Sequence, residues 1–174
     1  MEKLPQYKII DEELIRFQKR LFLEEETPPA EVRRVLRCIL DNLFDPELNV
    51  TLVRERCSIR NHNISMRFRF AMGIGLREYI EEKRLQAATL LLEYPQIEVY
   101  MVAMSVGFTH AESFNRSFKR RMGCSPSEHR QRTEATRRQS VPAGLASPAA
   151  ASPIFDPVPR PVEDTHRAGQ TACV

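Results

Sequence analysis

An all-α fold is predicted for this chain, in which two pairs of short helices are joined by one long helix. Apolar residues between Ala30 and Arg130 recur at spacings of three and four, the period of a helix that buries one face. Glycine and proline punctuate that stretch so that one long run, Leu76 to about Tyr94, lies between shorter ones. The shorter ones also repeat: at an offset of fifty residues, Ile64, Phe68, Arg69, Met72 and Gly73 match Phe114, Phe118, Lys119, Met122 and Gly123.

The first element is an amphipathic helix of the N-terminal segment, residues 1–29, where Ile10, Leu14, Phe17 and Leu21 share a face. Asp11, Glu12 and Glu13 are expected in its first turn, where the helix dipole favours negative charge. Its stripe has two uses, docking on the rest of the chain or a dimer contact through residues 10–21, and docking is preferred. Thr27-Pro28-Pro29 ends it, because proline suits only the first turn of whatever follows. Val32, Leu36, Ile39, Leu40 and Leu43 then mark a helix that breaks near Asp45-Pro46. A short helix over about Val50–Cys57 precedes another over about Asn61–Met72, closed by Gly73 and Gly75.

In the long helix, Tyr79, Ile80, Leu85, Ala88, Leu91 and Leu92 form the buried side, and Pro95 ends it. After it come a helix over Ile97–Val106, a turn at Gly107-Phe108-Thr109-His110, a helix to Met122, and a last helix from Ser125 or Pro126. The domain is bounded at 30–133. Residues 134–174 read as a disordered Pro/Ala/Ser-rich tail, since prolines remove donors and alanine and serine bury little.

The 26 Lys/Arg and 23 Asp/Glu leave a formal charge of only +3 over 174 residues, but the distribution is uneven. Residues 30–133 hold 17 basic against 12 acidic residues, a net of +5, which puts the positive charge on the folded part, where a polyanion would bind. Cys38, Cys57, Cys124 and Cys173 are scattered, without zinc-ligand spacing, and fit reduced thiols used in packing or at the surface. No apolar run reaches the roughly 18–20 residues of a membrane span and no signal-type segment opens the chain, so a cytoplasmic location is expected.

A helix packed by one face and free on the other can enter a major groove about 12 Å wide. Small helical bundles show the same periodicity, so pattern alone leaves DNA binding and bland packing both open. The sequence signature narrows this. Val106-Gly107-Phe108, then Phe114-Asn115-Arg116-Ser117-Phe118-Lys119, then Gly123-Cys124-Ser125-Pro126 and Arg130 closely resemble the second helix-turn-helix signature of the AraC/XylS family. The likeness runs back to about Val32. Several positions have physical reasons: Ala103 is small at a helix crossing, Gly107 permits positive φ, Phe108, Phe114 and Phe118 fill a core, and Pro126 suits a first helical position.

The resemblance implies about seven helices in two helix-turn-helix subdomains joined by the long helix. Nineteen residues span about 28 Å at ~1.5 Å each, close to the ~34 Å between successive major-groove faces. One chain would then present two recognition helices to one side of a duplex. The first motif departs from the family at Arg54, where a small residue is usual, at Arg60, where a Ser or Thr cap is usual, and at Arg67, where an apolar residue is common. A weakened or backbone-holding motif is therefore preferred over an ordinary base-reading one, which stays open.

By position, the base-facing residues implied are His62, Ser65 and Met66 in the first recognition helix and Ala111, Glu112, Ser113 and Arg116 in the second. Arg116 suits guanine O6/N7 and Glu112 suits cytosine N4, while Met66 and Ala111 suit at most a thymine methyl. Arg60, Arg69, Lys119, Arg120 and Arg121 are assigned to phosphates, with a solvated charge run as the plain alternative. His110 and His129 have no metal-binding or catalytic surroundings in the sequence, and no cofactor is implied.

The function implied is that of a sequence-specific, double-stranded DNA-binding transcription regulator of the small, ligand-independent kind, often an activator that touches RNA polymerase. The alternative is a module impaired in DNA binding that binds RNA polymerase or another regulator. An enzyme is not expected, and the cysteine-rich zinc module of alkyl-accepting repair proteins that share such a domain is missing. A monomer, or a weak dimer through residues 10–21, completes the expectation.

Overall fold

The computed structural model describes residues 4–24, 28–56 and 63–140. These hold eight helices and no strand: α1 (Pro5–Glu24), α2 (Ala30–Asp41), α3 (Val50–Arg56), α4 (Ile64–Met72), α5 (Leu76–Leu92), α6 (Val99–Ser105), α7 (Ala111–Met122) and α8 (Pro126–Ser140). Cys57, Ser58, Arg60, Asn61, His62 and the expected tail from residue 141 onward lie outside the described residues.

α1 begins at Pro5, earlier than the stripe suggests, so Asp11, Glu12 and Glu13 sit beyond the first turn, where the helix dipole has faded. Proline is at home in a first helical turn, and that lets the helix start there. Ile10, Phe17 and Leu21 are buried. Gln18 Nε2 donates to the Leu40 carbonyl at 2.8 Å, and the Tyr94 hydroxyl donates to Glu13 Oε1 at 3.0 Å. The stripe therefore docks on α2 and α5, with Ile10, Phe17 and Leu21 covered within the chain.

α2, α3 and α4 form the first motif with its supporting helix. Val32, Val35, Leu36, Ile39 and Leu40 supply the α2 face, and Val53, Ile64 and Phe68 close the core. Asn49 Oδ1 accepts from the Leu52 amide at 3.0 Å and caps α3. The Phe68 ring meets Tyr79 of α5 edge-on, with centroids 5.5 Å apart.

α5 is shorter than expected, 17 residues or about 26 Å, because the turn before Pro95 takes up Glu93 and Tyr94. It is buried on more than one side: Leu76, Arg84 and Ala87 join the expected face. Such all-round burial is natural for a helix packed against α1 and α4 as well as α6, α7 and α8.

α6, α7 and α8 form the second motif. Phe108, Phe114, Phe118 and His129 make a run of ring contacts with centroid spacings of 5.3, 5.5 and 5.5 Å. α8 starts at Pro126 with a reciprocal cap: the Ser125 amide donates to Glu128 Oε2 at 2.7 Å, and the Glu128 amide donates to Ser125 Oγ at 3.2 Å. Those hydrogen bonds to Ser125 hold the Glu128 carboxyl below its ordinary pKa. The domain edge expected at Thr133 moves to Ser140, since α8 runs on to that residue. No proline or glycine interrupts 127–140, and Arg138 pairs with Glu134 one turn back. No described helix is long and apolar enough to cross a membrane.

Candidate nucleic-acid interface

α7 is held by Phe114 and Phe118, both fully buried, which turns Glu112, Arg116, Lys119 and Arg120 outward. Glu112 and Arg116 are one helical turn apart and exposed, as a pair of base-edge readers requires. Ala111 and Ser113 are only half exposed. Ser113 turns with Ser117 into a groove of about 850 Å³ that also touches Leu48, Asn49, Glu55 and Arg77, so it is less free to meet a groove of DNA than its position in the signature implies.

The expected phosphate residues divide. Arg69 and Lys119 are exposed and make no ion pair among the described residues. Arg120 and Arg121 instead pair with Glu81 and Glu82 of α5, the latter at 2.5 Å. These pairs tie α7 to the connector, and a phosphate would have to compete with the two carboxylates. Neither recognition helix has a side-chain cap: Asn63 and His110 stand at the cap positions without such a bond.

The outer face of α4 differs in chemistry. Opposite the buried Ile64 and Phe68 stand Met66, 70% exposed, and Phe70, 93% exposed, with Ser65 and Arg69 beside them. They fall fifty residues before Arg116 and Arg120, so α4 is apolar where α7 is basic. Phe70 is absent from the expected site, although its offset from Arg120 was a usable signal. Arg67, which stands where the family commonly has an apolar residue, lies at the surface and pairs with Glu31 of α2.

Arg84 is the other residue that the sequence reading missed. Only 8% exposed, its guanidinium donates from Nε to Leu43 O at 2.8 Å, from Nη1 to Gly107 O at 2.9 Å and from Nη2 to Asp45 O at 2.7 Å. Burial lowers its pKa and the nearby Asp45 charge opposes that shift. Its signal was an arginine spaced by four from both Ile80 and Ala88 on the buried side of α5. Gly107 has φ +89°, and a Cβ there would stand 3.0 Å from both Arg84 Cζ and the Phe44 carbonyl oxygen. Arg130 has a comparable task, donating to Leu92 O at 3.2 Å and Ile97 O at 2.7 Å, and so fastens α8 to the end of α5.

Comparison with known proteins accords with this frame. A family profile described as "Helix-turn-helix domain" matches residues 54–132. The putative HTH-type transcriptional regulator YkgA of Escherichia coli K12 is 31% identical over 118 residues, 68% of this chain and 49% of that protein. The arabinose operon regulatory protein of the same strain is 31% identical over 121 residues, 68% of this chain and 41% of that protein. This chain belongs to the AraC/XylS family. It spans about half or less of the length of those two AraC/XylS relatives, but aligns with 87% of the regulatory protein SoxS of Salmonella typhimurium at 28% identity over 93 residues.

Among solved structures, the DNA-binding domain of AdpA, in complex with a target DNA, superposes with a TM-score of 0.57 at 25% identity, covering 66% of this chain and all of that one. The C-terminal domain of AraT from Geobacillus stearothermophilus, at 23% identity and TM-score 0.59, covers 62% of this chain and 88% of its own and shares the AraC/XylS fold.

Proposed function

We propose that this chain is a sequence-specific, double-stranded DNA-binding regulator of transcription whose principal reader is α7. The observation that carries the reading is the outer face of α7, where Glu112 and Arg116 stand exposed on a helix fixed by fully buried Phe114 and Phe118. The likeness to the AdpA domain, which was solved on its target DNA, supports it. Arg116 donates to guanine O6/N7 and Glu112 accepts from cytosine N4. Ala111 and Ser113 flank them. Arg69 and Lys119 meet phosphates, and Arg120 and Arg121 do so by exchanging Glu81 and Glu82 for the backbone. Ser65 and Met66 face the groove from α4, with Met66 and Phe70 suited to thymine methyls. Arg60 and His62 belong to the same proposal by sequence position alone. DNA binding needs no small-molecule effector in this reading.

Selection of duplexes from a random library by the purified full chain, with no metabolite added, tests the reading. The selected site should lose affinity with salt at a log–log slope near −0.9 per phosphate contacted. A folded protein that retains no duplex at low salt refutes it. One observation favours a second reading, the exposed apolar pair Met66 and Phe70, which suits a protein partner such as RNA polymerase or another regulator. Capture of polymerase that is lost in Phe70→Ser, by a chain that binds no DNA, would select that alternative.

A further inference from the structure

The Arg84 guanidinium is planar and offers its donors in a fixed fork, so three carbonyls that bind it are held at fixed separations. Two of those carbonyls, Leu43 and Asp45, belong to the segment leading into α3 and the first motif. The third, Gly107, belongs to the turn four residues before α7. Arg84 itself lies at the middle of α5, the rod between the two motifs. Any rocking of one motif against the other must stretch at least one of these three bonds. The missing side chain at Gly107 is what lets the turn come so close, with Phe44 O and Arg84 Cζ both 3.0 Å from where a Cβ would stand. A buried charge of this kind adds little net stability compared with a well-packed apolar side chain, and its best-attested use is to fix one geometry among several.

We propose that Arg84 is a positioning residue that locks the two recognition helices at one separation and so makes the chain selective for the spacing of its two contact sites on DNA. The inference rests on the DNA-binding reading. The α5 rod sets the distance between the motifs, and Arg84 sets their rotation about it. Without the clamp both helices remain folded, but each pivots on its own packing, and sites moved along the duplex become acceptable.

The test uses the full chain and its selected duplex, with the segments under α4 and α7 moved apart or together by one or two base pairs. Wild type should lose about tenfold or more on misplaced spacings, the scale of a mismatched base pair. Arg84→Lys and Arg84→Met should bind the best spacing more weakly and show much less difference between spacings. Ile97→Val, a destabilising change in a buried residue away from the clamp, should keep the full preference. Folded Arg84 variants that keep the wild-type preference overturn the proposal. So does a wild type indifferent to spacing, or an Ile97→Val protein that loses its preference as well. If neither Arg84 variant folds, Gly107→Ala, whose methyl crowds the same clamp from the other side, is measured in the cold where a destabilised domain stays folded: a flattened spacing preference supports the proposal and an unchanged one overturns it. Wild type that binds no duplex at all overturns the DNA-binding reading itself, and the clamp's role with it.

Discussion

Gly107→Ala should be far more damaging than the same change at Gly123. An alanine at φ +89° carries a backbone cost of about 1–2 kcal/mol. The new Cβ also stands 3.0 Å from Arg84 Cζ and 3.0 Å from Phe44 O, and a backbone carbonyl between packed helices has nowhere to move. Relief therefore falls on Arg84, whose bond to Gly107 O is charge-assisted and whose loss costs roughly 1.5–3 kcal/mol. Together these predict a loss of about 3–5 kcal/mol. Gly123→Ala supplies the control: its φ is +72°, but nothing lies within 4 Å of the added methyl, so only the backbone cost of about 1–2 kcal/mol applies. At ~3–4 °C per kcal/mol for a unit of this size, Gly107→Ala should lower Tm by roughly 10–20 °C and Gly123→Ala by under half of that. Thermal and urea unfolding followed by circular dichroism at 222 nm measures both. Equal losses for the two variants would show that the close approach around Arg84 contributes nothing, and the reasoning would fail.

Other predictions concern the interface and pH. Arg116→Ala should lose about 1–3 kcal/mol of binding and relax preference at one base pair, while Met66→Ala loses less, having no hydrogen bond to give up; site selection that shows the reverse would make α4 the reader. Arg69→Ala and Lys119→Ala should weaken all sequences alike and each reduce the salt slope by about one, and a change confined to one sequence would contradict their phosphate role. His129 Nδ1 is buried without a hydrogen bond, and burial lowers the His129 pKa, aided by Arg132. The unfolded chain therefore takes up that proton first as pH falls below about 6.5, so stability declines from there until the lowered folded value is passed. Between pH 7.5 and 5.5, wild type should lose more Tm than His129→Phe, which keeps a ring against Phe118; equal losses would remove His129 as the cause.

The sequence carries the fold where local rules act alone. The spacing of Phe114 and Phe118, the turn glycine at 107 and the Ser125-Pro126 start of α8 each depend on near neighbours, and each stands as expected. Arg84 and Arg130 are different. Their partners are backbone carbonyls 23 to 41 residues away, and no side-chain pattern marks a carbonyl as an acceptor. The ties of Arg120 and Arg121 to Glu81 and Glu82 escape for a related reason, because the approach of α7 to α5 decides which cations stay solvated. Starts and ends of helices were least legible. Pro5 opens α1 before its apolar stripe begins, and α8 continues past Thr133 on polar residues that a periodicity argument ignores.

The unlike faces of α4 and α7 have a consequence for how the protein sits on a duplex. Two recognition helices with matched faces would read two half-sites of the same kind. Here, turning the chain end for end would set Met66 and Phe70 where Arg116 and Arg120 had been. Hydrogen-bond donors and a greasy surface cannot substitute for one another against the same base edges. On the proposed reading its binding site has two unlike halves and therefore a direction, and inverting that site would point the whole molecule the other way along the DNA.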